Sequence, residues 1–242
     1  MKAWTFFPDL KRRYIIPEIM DDPGLNEESH RCALKGLERI NRLSLSSQHV
    51  WAGVCQLLNI HPGRQMRVLD IACGAGDIPI GLWKKSVEMG VRLEIEACDR
   101  SVRAVEFAQN RARAAGANIR FFVCDVLTDS LPQTYDIVTS SLFLHHLETT
   151  QAVTLLRRMG EHTREMILIN DLVRSRGGWL LACLATRMLS SSYVVHNDGP
   201  QSVLAAFTVP EIGEAADEAG LGGYQIERRW PCRFVLNWRR SL

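Results

Sequence analysis

The sequence predicts an α/β fold: a doubly wound, mostly parallel seven-stranded sheet with an antiparallel final strand, behind an N-terminal helical cap. Three observations predict it. Five short apolar runs at residues 67–72, 93–98, 119–124, 135–140 and 166–170 follow in order, with helical periodicity after each of the first four. The first run leads directly into Cys73-Gly74-Ala75-Gly76-Asp77, a glycine turn that opens a helix. Two last apolar runs, 224–230 and 233–238, are separated around Pro231 by a connection short enough for an antiparallel hairpin. The boundaries are a cap over residues 1–60 and a ligand-binding domain over 61–242, with an insertion at about 172–207 lining a substrate site.

Within the cap, residues 26–43 read as one charged amphipathic helix with Leu34, Leu37, Ile40 and Leu43 on its apolar side. Ser44 or Ser46 can cap a second helix through residues 51–58. In the glycine turn, Gly74 and Gly76 lack Cβ and can take positive φ, so ligand atoms can touch main chain while the next helix's N–H groups attract an anion. A dinucleotide fingerprint needs a third glycine where Pro79 stands, and no Gly-Lys-Ser/Thr makes a phosphate loop. The insertion runs from Asp171-Leu172-Val173-Arg174 through the apolar 177–189 to Tyr193-Val194-Val195-His196-Asn197-Asp198-Gly199-Pro200. Thr208-Val209-Pro210-Glu211 then caps a helix to Ala219.

Lys and Arg number 29 against 27 acids, a net charge of +2 that gives no electrostatic case for nucleic acid. The basic clusters, Lys11-Arg12-Arg13 and Arg228-Arg229, Arg233, Arg239-Arg240, read as solvated faces. Seven cysteines with no Cys-x-x-Cys indicate neither a disulfide framework nor a zinc knuckle. The first nine residues lack a signal peptide's apolar core and residues 177–185 make about half a membrane span, so the expectation is a soluble, cytoplasmic protein.

The stretch Val68-Leu69-Asp70-Ile71-Ala72-Cys73-Gly74-Ala75-Gly76 resembles motif I of the class I S-adenosylmethionine (SAM)-dependent methyltransferases, Asp and Cys included, and the resemblance runs over residues 67–147. Two more acids fall where that family has them. Asp99 ends the second strand, where a carboxylate can accept from a ribose diol, and Asp125 follows the third, where the family's acid accepts from the adenine amino group. Either acid alone can also be an ordinary strand-end cap. The resemblance implies SAM as cofactor, held by Asp70, Ala72, Cys73, Gly74 and Gly76, by Asp99 and Arg100, by Asp125 and Val126, and by Ser140. It also implies the reversed final strand.

In this family the residues after the fourth strand sit under the methyl; here they are Ser140-Ser141-Leu142-Phe143-Leu144-His145-His146. The Asp/Asn-Pro-Pro-aromatic motif of enzymes acting on nucleobase or amide nitrogen is missing. Metal-dependent catechol-type enzymes carry an acid after strand four and an Asp-Asn pair ending strand five; Ser140 and a reversed Asn170-Asp171 stand there, so no catalytic metal is expected. His145 and His146 become the leading bases for a phenolic proton, with Phe143 and Asp171 beside them as substrate contacts. The competing reading has one histidine merely cap a helix or fill space. The apolar 177–189 can line a cavity for a greasy acceptor, with His196 or Tyr193 at its polar end, or can simply fill the core. His196, in an Asn-Asp-Gly-Pro turn, also reads as a surface residue, and Asp171 with Arg174 as a local ion pair fixing the loop.

Segments 31–42, 169–175 and 198–203 resemble those of bacterial methyltransferases of polyketide and quinone pathways, which implies a phenolic or quinol acceptor. The expected function is therefore methyl transfer to the hydroxyl of a small molecule, with no nucleic-acid partner, no membrane span, and a homodimer admitted. The alternatives are an RNA- or protein-modifying methyltransferase and a non-catalytic SAM-binding scaffold.

Overall fold

The computed structural model describes residues 8–22 and 24–240; residues 1–7, the start of the segment read as a cap, lie outside it. Helices α1 (Glu27–Leu43) and α2 (Ser46–Ile60) come first. Then follow β1 (Met66–Ile71), α3 (Asp77–Met89), β2 (Leu93–Asp99), α4 (Val102–Ala114), β3 (Ile119–Val123), β4 (Tyr135–Ser141), α5 (Thr149–His162) and β5 (Thr163–Leu172). After helices α6 (Arg176–Leu189), α7 (Tyr193–Ala205) and α8 (Val209–Glu218), the hairpin of β6 (Gln225–Arg229) and β7 (Arg233–Arg239) closes the chain. The seven strands lie in the order β3-β2-β1-β4-β5-β7-β6, parallel except that β7 runs antiparallel to both neighbours. The order reverses between β1 and β4, which opens a crevice at the strands' carboxyl ends, where α/β sheets bind ligands.

Alternate residues of the strands supply two cores, as the period of two requires. Val68, Ile95, Ile137 and Leu168 pack with Val50, Val54 and Leu57 of α2 and Leu82 of α3. Leu69, Val138, Ile167 and Leu236 pack with Leu155 and Met159 of α5 and Ile212 and Ala216 of α8 on the other face. The second helix read as cap is thus a layer of the core, while α1 lies farther out against α6 and α7. The approach of α2 to β5 depends on Gly53, because a Cβ there would lie 2.5 Å from Leu168 Cδ2 inside a fully buried contact. Gly53→Ala is therefore expected to destabilise the fold by about 1–3 kcal/mol through overpacking, read as a lower denaturation midpoint at unchanged slope.

Three local expectations fail for identifiable reasons. No helix follows β3: Asp125 Oδ1 accepts from Leu127 N and Asp129 Oδ2 from Asp125 N, so side chains close a turn that competes with helix. Neither serine caps α2; its N-cap is Leu45 at φ 58°, and Ser44 Oγ instead donates to Asn41 O. The Asn197-Asp198-Gly199-Pro200 quartet is helical within α7, not a turn. Gly199 lets α7 meet α6 closely, since a Cβ would touch Thr186 Cγ2 at 2.5 Å, and Asp198 reaches away to accept from the backbone N–H groups of Ile19 and Met20. Among the described residues no helix is long and apolar enough to cross a membrane.

Candidate active site

At the carboxyl end of β1 the chain turns with Ala72, Gly74 and Gly76 at φ 54°, 50° and 77°, so both glycines adopt the left-handed backbone the turn demands. Open space lies where a side chain of Gly74 would begin, whereas Gly76 faces Ala108 of α4. Asp99 fastens the turn: its Oδ2 accepts from Gly74 N at 2.9 Å and its Oδ1 from Ser101 N at 2.9 Å. Asp70 is 1% exposed, and its Oδ1 has no hydrogen-bond partner. Burial above all, then the charges of Asp99 and Asp77, hold its pKa well above the usual carboxylate range.

Beside this turn lies a cavity of about 250 Å³. Asp70, Ala72, Cys73 and Gly74 line it; Gly76, Asp99, Arg100, Asp125, Val126 and Ser140 do not. Val126 is packed in the core, Arg100 lies at the surface, and Ser140 Oγ donates to Ile71 O, joining β4 to β1. The opposite side is built by the 3-10 turn Leu144–His146, a loop that Asp171 at the end of β5 holds in place. Asp171 Oδ2 accepts from Phe143 N at 3.1 Å, and its Oδ1 accepts from Leu172 N and pairs with His145 Nδ1 at 2.7 Å. The expected Asp171–Arg174 pair does not form: Arg174 binds Glu211 at 2.5 Å and the carbonyls of Leu10 and Ala206. With three local donors, Asp171 orients the loop and is absent from the cavity wall, as is Phe143, which packs on the core.

His145 and His146 both line the cavity, their rings 4.3 Å apart. Burial draws the His145 pKa down, but the charge and hydrogen bond of Asp171, with Glu18, outweigh it and leave the pKa above its ordinary value. His146 goes the other way, to about 3, through burial and the positive charges of His145 and Arg100. Glu18 Oε1 stands 3.9 Å from His145 Nε2 and 4.0 Å from His146 Nε2, and it accepts from Ser202 Oγ at 2.5 Å. Among the described residues these three are the one group of His, Cys, Asp or Glu side chains whose ligating atoms, within 4.8 Å of one another, could share a metal ion. The other insertion candidates fall outside the cavity. Tyr193 is 57% exposed, and His196 Nε2 is engaged with Ser190 O at 2.7 Å.

Glu18 was not foreseen, and a lone acid in an aperiodic segment offers no signal. Arg13 and Arg233, read as solvated, are instead bound in. Arg13 donates to the carbonyls of Ala205, His145 and Leu147, lies over the Phe207 ring, and has its pKa pushed down to about 10 chiefly by burial. Arg233 is 3% exposed on the cavity wall; a charged residue opening the apolar run of β7 was the available hint. Leu34, Leu37 and Ile40 of α1 line the cavity, while Leu43 is exposed.

Residues 68–166 match the family described as a methyltransferase domain. A curated relative, the ribosomal RNA small subunit methyltransferase C of Vibrio parahaemolyticus, is 30% identical over 118 residues, 47% of this chain and only 33% of that protein's length. Among solved structures, the plantazolicin methyltransferase BpumL in complex with S-adenosylhomocysteine (SAH) is similar at a TM-score of 0.67 and 16% identity, covering 91% of this chain and 92% of that one. The magnesium protoporphyrin IX methyltransferase of Synechocystis PCC 6803 with bound SAH is similar at 0.56 and 18% identity, covering 92% and 91%. The residues present fit SAM: a buried acid with an unpartnered oxygen, Asp70, calls for a cation such as the cofactor's ammonium, beside a glycine turn that leaves room for it.

Proposed function

We propose that this chain is a class I SAM-dependent methyltransferase that methylates the hydroxyl of a phenolic or quinol small molecule with His145 as general base. The observation that carries the reading is His145 on the wall of a cavity that Asp70 and Gly74 also line, backed from behind by the buried Asp171 at 2.7 Å. Asp70, Gly74 and Asp99 would hold the cofactor. When bound, SAM supplies a methyl group on a sulfonium, an electrophile with a good leaving group.

Asp171 accepts the Nδ1–H of His145, which leaves Nε2 as the basic atom of the neutral ring. Nε2 takes the hydroxyl proton as the oxygen gains the methyl, and the imidazolium that forms lies between the carboxylates of Asp171 and Glu18. His146 stays neutral across the working range and serves as a hydrogen-bond partner for the acceptor. Leu34, Leu37 and Ile40 supply an apolar roof, and the segment carrying Glu18, pinned by Asp198, helps α1 exclude water. A small-molecule acceptor is supported by relatives named for a porphyrin and for plantazolicin.

The test offers methyl-deuterated SAM with a panel of phenols, quinols, amines, peptides and RNA, read by mass spectrometry. The expected result is a labelled methyl on phenols or quinols. Since a ribosomal RNA methyltransferase is among the relatives, label entering RNA alone would replace this reading. Because the Glu18, His145 and His146 atoms could instead gather a metal, the rate is also measured in EDTA. An unchanged rate is expected, and abolished turnover would sink the metal-free base.

A further inference from the structure

Arg233 begins β7, and because β7 runs antiparallel its first residue lies at the carboxyl edge of the parallel strands, in register with Leu172 of β5. There its guanidinium is enclosed. Nη2 donates to Ser44 Oγ at 2.7 Å, but Nε and Nη1 are buried with no partner. The acid whose charge favours its protonated form is Asp171, whose oxygens are taken by Phe143, His145 and Leu172, and no ion pair joins the two. Burial pushes the Arg233 pKa down to about 10, which leaves it charged at neutral pH. A buried cation with unfilled donors is costly unless something completes it.

What completes it is defined by its position. Arg233 lines the same cavity as His145 and His146, and so does Ser141, whose Oγ is likewise buried without a partner. The cofactor acids stand at the ends of β1, β2 and β3, whereas Arg233 stands beyond β4 and β5, on the acceptor's side of the switch point. We propose that Arg233, helped by Ser141, anchors a carboxylate of the acceptor, so that the substrate class is a hydroxylated aromatic acid and not a neutral phenol. The proposal rests on the reading of this cavity as the acceptor site.

The experiment measures binding to the SAH-saturated, full-length protein by calorimetry, using hydroxybenzoates and hydroxynaphthoates against their matched carboxamides, with methyl transfer to the same compounds followed separately. The wild type is expected to bind at least one acid about tenfold or more tightly than its carboxamide. Arg233→Met removes that preference, Arg233→Lys restores part of it, and both variants keep SAH affinity. If the wild type shows no preference for acids, the proposal is overturned without any variant. If Arg233→Met weakens SAH while the acid preference survives, Arg233 serves the cofactor's carboxylate instead and the proposal fails. Acid-selective binding without methyl transfer would sustain the anchor and sink the proposed chemistry, so the two failures are distinguishable.

Discussion

Replacing His145 by glutamine is expected to lower kcat by about 10²–10⁴ while SAM affinity stays within a few-fold of wild type, the loss that follows from removing a positioned base. The pH dependence gives the sharper signature. The Asp171 charge and hydrogen bond, with Glu18, raise the His145 pKa against the opposing effect of burial. A base must be deprotonated, so wild-type kcat/KM rises with pH and levels off above the ordinary histidine value of about 6.5. The His145→Gln variant loses that limb. Asp171→Asn removes the charge that raises the pKa, so the limb moves to lower pH and the plateau drops. His146, with its pKa pushed to about 3, contributes no limb near neutrality, and His146→Gln is expected to cost much less. Full activity in His145→Gln, or a limb that survives it, would contradict the assignment.

Asp99→Ala is expected to weaken SAM binding by about 1.5–3 kcal/mol, as for hydrogen bonds to a charged group. The structure adds a complication that the measurement can resolve. Both Asp99 oxygens already accept from Gly74 N and Ser101 N, so losing the side chain loosens the glycine turn as well as any ribose contact. Comparing SAH with its 2′-deoxy analogue separates the two effects. If Asp99 holds the diol, wild type prefers SAH and the variant does not. Equal weakening for both ligands would leave Asp99 as a brace for the turn.

The sheet and the glycine turn were legible because they are local. A buried parallel strand is a continuous apolar run, and Gly74 and Gly76 mark the left-handed backbone where β1 meets α3. The hairpin of β6 and β7 was legible for the same reason, its two runs being joined within a few residues. The cavity wall beyond β4 was only half legible. His145 and His146 were visible from their position after β4, but the burial that lowers the pKa of His146 and the acids Asp171 and Glu18 that raise that of His145 are supplied only by the fold. His196 and Tyr193 were read as the polar end of a cavity lined by 177–189; Ala182, Ala185 and Thr186 do line it, but Tyr193 is exposed and His196 is engaged with Ser190 O, a partner that only the fold supplies. Arg233 shows the same limit, since a surface cluster of basic residues and a buried arginine on a cavity wall read alike in a string of letters.

The most direct test of the central claim is turnover with methyl-13C SAM followed by carbon NMR of the product, because the chemical shift tells which atom received the methyl. The account predicts that the labelled carbon appears on the oxygen of an aromatic hydroxyl, at a rate that depends on His145. A labelled carbon on nitrogen or on ring carbon, or label that never leaves the cofactor with any hydroxylated acceptor, would contradict it.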